Sequence, residues 1–178
     1  AMAMKYIGQT FDIHCGGVDH IQVHHTNEIA QAEGATGKKF VHYWLHNEFL
    51  LVGNDDKMAK SGDNFITINT LRNKGYDPIA YRYLLLTAHY RSKLSFTWEA
   101  LDAATTALRK IYTITLEYKN GPKEGTWTKY KEEFENALND DLDTPRAIAT
   151  LWKMLKDDSL GAGTKHEALL FFDEVLGL

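Results

Sequence analysis

The stretch FDIHCGGVDHIQVHHTNEIAQ, residues 11–31, decides how the first part of this chain folds. A short apolar run at 9–14 is bounded by turn-forming residues and predicts a strand, and the segment 24–33 that follows it predicts a helix. A second apolar run at 49–52 predicts another strand, and the order strand–helix–strand indicates part of a parallel sheet. The opening stretch also holds four histidines and the only cysteine of the chain, an unusual density of metal-binding side chains.

The composition is that of a folded globular protein, with 44% hydrophobic and 25% charged residues among 178. No apolar run approaches the roughly 20 residues that a membrane-spanning helix needs, so no membrane partner is expected. A single cysteine cannot form an internal disulfide, which favours a reducing, cytoplasmic setting. The net charge of −4 gives no support to a protein that binds nucleic acid on its own.

From Tyr76 onward the hydrophobic period becomes helical, and the last 100 or so residues predict a helical bundle. Asp77 and Thr97 stand where helix N-caps are expected. The helix after Thr97 is expected to bury one face, made of Leu101, Ala104, Leu108, Ile111 and Leu116. The chain as a whole is therefore expected to be mostly helical, an α/β part followed by an α part.

His24 and Glu28 are four residues apart, and on a helix this spacing places both side chains on one face. Imidazole and carboxylate both bind zinc, so the pair can supply two ligands of a tetrahedral site. The alternative is a surface pair worth about 0.3 kcal/mol. Cys15 is either a third ligand or a small buried side chain.

Two loops have the composition of nucleotide-binding segments. Gly16 and Gly17 allow a ligand to approach the backbone between a strand and a helix, and Asp19 can accept hydrogen bonds from ribose hydroxyls. In DDKMAKSGDN, residues 55–64, Lys57 and Lys60 can hold a polyphosphate as mobile positive charges. A simple glycine turn and a solvated charged loop are the respective alternatives.

Taken in order, these motifs resemble one family. Residues 11–31 resemble the cysteinyl-tRNA synthetase segment that usually reads FDIHGGG-x-DL-x-FPHHENEIAQ, and KMAKS at 57–61 resembles the KMSKS loop of class I synthetases. Further similar strings are WLHNEFLLV (44–52), NFITI (64–68), YRYLLLTAHYRSKLSFTWEAL (81–101) and ALNDDLDTP (137–145). The resemblance implies that residues 1–75 are the second half of a Rossmann-type catalytic domain. It also implies that residues 76–178 are an α-helical bundle that contacts the tRNA stem and begins the anticodon-side domain.

The resemblance also implies an activity, the activation of cysteine with ATP and magnesium to cysteinyl-adenylate and its transfer to tRNA(Cys). His24 and Glu28 match two of four zinc ligands, and the zinc binds the thiolate of the substrate cysteine. His14, His25 and His46 are expected to line the pocket.

The same resemblance assigns ATP-binding roles to the two loops. Gly16, Gly17 and Asp19 match the adenosine-binding turn. Lys57 and Lys60 match the catalytic lysines of the mobile loop, and Lys60 with Ser61 matches its ATP contacts. Catalysis of this kind needs positioning and electrostatic stabilisation rather than a protein nucleophile.

The departures from the family pattern matter for activity. The two zinc-binding cysteines and the HIGH motif, which belong to the first half of the catalytic domain, are absent, so the chain alone is expected to be inactive and to need that half as a partner. Cys15 stands where the family has glycine, and His20 where it has an aliphatic residue. Further replacements are Val23, Thr26 and Ala59.

Two other functions fit the sequence. One is the related ligase of the mycothiol pathway, which joins cysteine to an amino sugar with the same zinc and adenylate chemistry. The other is a shortened, non-catalytic paralogue that acts as a binding module; the retention of both loop lysines argues against it.

Overall fold

The computed structural model describes residues 2–52 and 66–178, together with the backbone of residues 56 and 57. They form two compact units: Ala1–Phe49 with Tyr90–Lys93, and Leu50–His89 with Leu94–Leu178. The predicted boundary between residues 75 and 76 falls inside the second unit, so it does not coincide with the division of the chain into compact units. The assignment of 1–75 and 76–178 to two functional domains stays a prediction. No helix among the described residues is long and apolar enough to cross a bilayer.

The first unit is built on a strand–helix–strand motif. Strand β1 (Phe11–Gly17) runs parallel to strand β2 (Val41–Asn47), with Gly17 paired to Asn47 at one end. Helix α2 (Thr26–Thr36) connects the two strands, and the short helix α1 (Met2–Tyr6) precedes them. Both strands therefore end at the same edge of the sheet, which is where polar side chains of parallel sheets collect.

The parallel partner of β1 differs from the predicted one. The apolar run at 49–52 forms strand β3 (Leu50–Val52), which pairs in a separate sheet. The segment VHYWLHN of β2 takes the place beside β1, although His42 and His46 interrupt its apolar residues. The prediction of a strand–helix–strand unit is confirmed, but its second strand was misplaced because β2 has no continuous apolar run.

The connection from β1 to α2 is tightly coiled throughout. A 3-10 turn (Val18–His20) passes directly into a π-helical turn (Ile21–His25), which passes into α2. The predicted helix at 24–33 is confirmed: α2 itself begins two residues later than predicted and ends three residues later, and the π-helical turn covers the residues before it. Short π-helical turns are rare and are frequently found at functional sites.

The second unit holds a small sheet and the predicted bundle. Strand β3 pairs with β4 (Asp56–Lys57) in the antiparallel direction and with β5 (Leu94–Phe96) in the parallel direction. The helices are α3 (Ile68–Asn73), α4 (Pro78–Leu86), α5 (Trp98–Tyr118), α6 (Thr128–Asn139), α7 (Thr144–Leu155) and α8 (Ala162–Leu176). The Asp77 carboxylate accepts a hydrogen bond from Ile79 N at 2.9 Å, and the Thr97 hydroxyl accepts one from Ala100 N at 3.1 Å. Both predicted N-caps are confirmed.

One continuous apolar core holds the bundle together. Phe134 and Phe172 are fully buried and stack with ring centroids 4.3 Å apart. On α5 the predicted face is buried as far as Ile111, but Leu116 is 76% exposed. Leu116 lies five residues after Ile111, which turns it about 140° away from that face, so its inclusion was wrong.

Candidate functional site

Six side chains of the first unit meet where β1 ends and α2 begins, and we call them the histidine cluster. Its members are His14 on β1, His20 in the 3-10 turn, His24 and His25 in the π-helical turn, Glu28 in the first turn of α2, and His46 on β2. The fold thus gathers side chains from two strands and the connection between them at one edge of the sheet.

His25 lies at the centre of the cluster and is 3% exposed. Its Nδ1 lies 2.8 Å from His46 Nε2, so the two rings share one hydrogen bond. The ring centroids of His14 and His20 lie 4.8 Å and 5.2 Å from that of His25. His25 is therefore held on several sides and has little freedom to turn.

The Glu28 carboxylate contacts three histidines. Its Oε2 lies 3.0 Å from His14 Nε2 and 3.9 Å from His25 Nε2, and its Oε1 lies 3.7 Å from His24 Nε2. Oε2 is buried, and although it is at ion-pair distance from His14 it accepts no aligned hydrogen bond. Such a buried, unsatisfied acceptor oxygen is stabilised when it accepts a hydrogen bond or binds a cation.

Gly16 leaves room for the rings. A Cβ atom at this position would lie 2.4 Å from His25 Cε1 and 2.9 Å from His20 Nδ1, far inside van der Waals contact. Gly17 is similar, since a Cβ there would lie 2.5 Å from a carboxylate oxygen of Asp19. The close approach at Gly16 requires glycine because the His25 ring is buried, whereas at Gly17 the exposed Asp19 side chain could turn aside.

His25 and His46 favour the neutral form of imidazole. Burial lowers the pKa of His25, the nearby His14 and His46 lower it further, and Glu28 acts in the opposite direction. Burial also lowers the pKa of His46, followed by the charges of His20 and Arg91. Neutral rings keep a free lone pair, which is the form that binds metal ions.

Two triplets within the cluster have the spacing of metal ligands. In the part of the chain that the structure describes, the donor atoms of His20, His24 and His25 lie within 4.8 Å of one another, and so do those of His14, His25 and Glu28. His25 belongs to both triplets, so only one of them at a time can use its nitrogen.

Comparison with known proteins identifies the family of the chain. Residues 1–106 match the model of the tRNA synthetases class I (C) catalytic domain. The chain belongs to the cysteinyl-tRNA synthetase family. It is similar to cysteine–tRNA ligase 1 of Burkholderia lata, at 47% identity over 178 residues that cover all of this chain and 37% of the relative. It is also similar to the cysteine–tRNA ligase of Treponema denticola, at 40% identity over all of this chain and 41% of the relative.

The fold agrees with this membership. The chain is similar to the LeuRS in the ternary complex of Agrobacterium radiobacter K84 agnB2 LeuRS with tRNA and LeuAMS, with a TM-score of 0.66 and 13% identity. The match covers 93% of this chain and 25% of the LeuRS chain. The predicted class I synthetase fold is confirmed. The chain spans about two fifths of the length of the curated relatives given above.

Within this member of the cysteinyl-tRNA synthetase family, the structure brings together the metal-ligand and pocket residues predicted from sequence. His24 and Glu28 are neighbours across one turn, and His14, His25 and His46 surround them. Whether these residues have the roles that the family resemblance implies stays a prediction.

The predicted ATP-binding residues fall in different parts of the chain. Gly16, Gly17 and Asp19 lie at the end of β1, next to the histidine cluster. Lys57 ends strand β4 in the second unit, where only its backbone is described. Lys60 and Ser61 lie outside the described residues.

Cys15 does not join the cluster. It follows His14 on β1, so its side chain points to the opposite face of the sheet, where it is exposed. Its interpretation as a third zinc ligand is therefore wrong, and so is the alternative of a small buried side chain.

Sequence reasoning missed two residues of the site. One is Trp44, which lies on β2 with its ring centroid 4.8 Å from that of His25 and 5.0 Å from that of His14. Trp44 and His46 are two residues apart on a strand and so share a face, which is the signal that could have found it. His20 was recorded only as a departure from the family pattern.

Proposed function

We propose that this chain forms part of the catalytic centre of a cytoplasmic cysteine–tRNA ligase. In this reaction the cysteine carboxylate attacks the α-phosphorus of ATP, pyrophosphate leaves, and the cysteinyl group passes to tRNA(Cys). The observation that carries the proposal is the gathering of metal-binding side chains at the carboxyl edge of a parallel sheet, in a chain of this family. The single cysteine supports a reducing compartment.

His24 and Glu28 are the residues that hold zinc in this proposal. Their nearest donor atoms are 3.7 Å apart, against about 3.4 Å between two ligands of tetrahedral zinc, and the second Glu28 oxygen lacks a hydrogen bond. The donor set therefore fits half of a zinc site. When bound, zinc supplies affinity for the cysteine thiolate, which distinguishes cysteine from serine.

His14, His25 and His46 line the pocket in this proposal. The hydrogen bond between His25 and His46 fixes the orientation of both rings, and the Trp44 ring packs against both of them. The lowered pKa values of His25 and His46 keep these rings uncharged at neutral pH, so they do not repel a cation bound beside them.

Gly16, Gly17 and Asp19 bind the adenosine of ATP in this proposal. The glycines present bare backbone at the end of β1, and the Asp19 carboxylate lies over Gly17, where it can accept hydrogen bonds from ribose hydroxyls. Lys57, Lys60 and Ser61 act on the phosphates, where two positive charges stabilise the developing negative charge and magnesium accompanies the ATP. This assignment rests on the sequence alone.

The proposed reaction needs partners that supply what this chain lacks in sequence. The first half of the catalytic domain carries the HIGH motif and two further zinc ligands in the family pattern, and tRNA(Cys) is the acceptor. The relatives reported above are named as cysteine–tRNA ligases, so the amino-sugar ligase and the non-catalytic module are not favoured.

A chimera tests the proposal. Residues 1–178 replace the aligned 178 residues of the Burkholderia lata relative, and cysteine-dependent ATP–pyrophosphate exchange and aminoacylation of tRNA(Cys) are measured. We expect the chimera to activate cysteine and to reject serine, while the isolated chain shows no exchange. A folded chimera that binds ATP but does not activate cysteine would refute the proposal.

Matched variants of the chimera separate roles within the site. Lys60→Ala is expected to lower the exchange rate about 100-fold or more, since it removes charge stabilisation of the transition state. His42→Ala is the control, because His42 lies on β2 but is exposed and outside the histidine cluster. Equal loss in both variants would mean that the effect is structural.

A further inference from the structure

A pocket of about 90 Å³ lies in the second unit, between α5 and α8, and we call it the α5–α8 pocket. Its buried lining is entirely aliphatic and consists of Ile111, Leu151, Leu169 and Leu176. These side chains are at most 6% exposed, so they form the floor of the pocket. An apolar cavity of about 150 Å³ binds benzene, so the smaller floor here accommodates an aliphatic group of about four or five carbon atoms.

The polar groups of the pocket lie at its rim. Tyr112 is 38% exposed, and the Asp173 side chain is exposed as well. The third polar residue, Thr115, uses its hydroxyl within its own helix, where it donates to Ile111 O at 2.8 Å. An apolar floor with a few polar groups at the rim is the usual composition of a small-molecule site.

The end of α8 fixes the Asp173 carboxylate at this rim. Gly177 has a left-handed φ of +62°, which ends the helix and turns the chain back. Leu178 N then donates to Asp173 Oδ1 at 2.6 Å, and the Leu178 side chain lines the pocket. Asp173 Oδ2 accepts no hydrogen bond from the described residues, so it is available to a ligand.

Two carboxylates make the rim negative. Burial raises the pKa of the Tyr112 phenol, and the charges of Asp77 and Asp173 raise it further, so both carboxylates lie near this hydroxyl. Within the described part of the chain, neither carboxylate forms an ion pair, and both accept hydrogen bonds from backbone N–H groups. Arg82 reaches the same end of α8, but its Nε donates to Leu176 O at 2.6 Å.

We propose that the α5–α8 pocket binds a small primary amine with a branched aliphatic end. The aliphatic end lies on the leucines of the floor, and the ammonium group lies beside the Asp173 carboxylate and the Tyr112 hydroxyl. A primary amine is charged at neutral pH, as the lysine side chain is, and therefore complements the two carboxylates. The proposal goes beyond the function proposed above and does not rest on it.

Three probes of nearly equal shape test the charge preference of the pocket. Isoamylamine, isoamyl alcohol and isovalerate are titrated separately into the 178-residue chain, and binding is followed through the methyl resonances of the protein. We expect isoamylamine to bind about tenfold more tightly than the alcohol, because hydrogen bonds to charged groups are the stronger ones, and isovalerate to bind most weakly. Equal affinity for the amine and the alcohol, or no binding of the amine, would overturn the proposal.

A matched pair of variants assigns the preference to one carboxylate. Asp173→Asn keeps an acceptor for Leu178 N and removes the charge, so it is expected to weaken isoamylamine about tenfold and to leave the alcohol unchanged. Glu174→Gln is the control, because it removes the neighbouring charge of α8 and Glu174 does not line the pocket. Equal weakening in both variants would mean that the amine responds to the general charge of the helix, which contradicts the proposed site.

The position of the bound probe keeps the test decisive if Asp173→Asn folds poorly. In the wild type, isoamylamine is expected to shift the methyl resonances of Leu151, Leu169 and Leu176, and to leave those of Ala32 and Val41 in the first unit unchanged. Shifts that are largest away from the pocket would refute the assignment. None of these measurements involves catalysis, so their failure leaves the proposed function standing, and the reverse also holds.

Discussion

Replacing Gly16 by alanine tests whether the end of β1 is shaped by the rings packed on it. The added Cβ would stand 2.4 Å from His25 Cε1, where carbon atoms normally lie about 3.5–4.0 Å apart. The overlap is about 1 Å or more. Gly16 is not among the residues of positive φ, so the effect is steric and involves no backbone strain.

The size of the effect depends on which atoms can move. His20 can turn aside, but His25 is 3% exposed, is hydrogen bonded to His46 and packs against Trp44. Overpacking of such a site costs about 1–3 kcal/mol. We therefore expect Gly16→Ala to lower the free energy of unfolding of the first unit by that amount and to break the hydrogen bond between His25 and His46.

The assay needs a signal from the first unit alone, and Trp44 supplies it. Urea unfolding followed through the indole N–H resonance of Trp44 reports on this unit, since the other three tryptophans lie in the second unit. The imidazole resonances of His25 report on its hydrogen bond.

Gly34→Ala is a matched control within the same unit. A Cβ at Gly34, inside helix α2, meets no atom within 4 Å, so alanine is expected to stabilise the helix by about 0.5–1 kcal/mol. Glycine-to-alanine substitution is thus expected to lower the free energy of unfolding at Gly16 and to raise it at Gly34. A Gly16→Ala variant as stable as the wild type, with the His25–His46 bond intact, would refute the packing argument.

Three further predictions concern the helical unit. Phe134→Ala removes a fully buried ring and is expected to lower the free energy of unfolding by about 3–5 kcal/mol in urea titrations; a loss below 1 kcal/mol would mean that the core relaxes around the gap. Hydrogen bonds from Ser159, and to a lesser extent from Tyr130, hold the pKa of Asp157 in the folded protein well below its usual 3.8. These hydrogen bonds therefore stabilise the folded state above pH 3.8, and this stabilisation is lost as the pH falls through the lower pKa of the folded protein. Asp157→Asn should therefore lower the free energy of unfolding at pH 7. In denaturation curves recorded at successively lower pH below 3.8, the difference in unfolding free energy between the variant and the wild type should shrink; a constant difference would contradict this. Leu142 has a φ of +57°, a left-handed conformation that costs about 1–2 kcal/mol in a non-glycine residue. Leu142→Gly should therefore raise the midpoint of thermal unfolding slightly, even though glycine gives the unfolded chain more conformational freedom. A lower midpoint would show that the Leu142 side chain stabilises the turn.

The features that the sequence predicts well are local ones. The N-caps Asp77 and Thr97 act on backbone groups two or three residues away, so their spacing is sufficient to predict them. The proximity of the His24 and Glu28 side chains can be predicted in the same way, because residues four apart on a helix lie on the same face.

The features that the sequence does not predict depend on contacts between distant segments. Strand β2 is recognisable only beside β1, because its histidines interrupt the apolar pattern. The contacts of Trp44 with His14 and His25 likewise arise only when the two strands pair. The buried nitrogen of His20 follows from a turn of the backbone that no composition encodes.

The π-helical turn Ile21–His25 makes the length of its segment as important as its composition. Each backbone hydrogen bond of a π-helical turn spans one more residue than a hydrogen bond of an α-helical turn. Deleting one residue here would let the segment relax into a regular α-helix, which would rotate everything before it by about 100° relative to α2. His20 and the end of β1 would then swing away from Glu28. Insertions and deletions should therefore be tolerated far less between residues 18 and 28 than most substitutions.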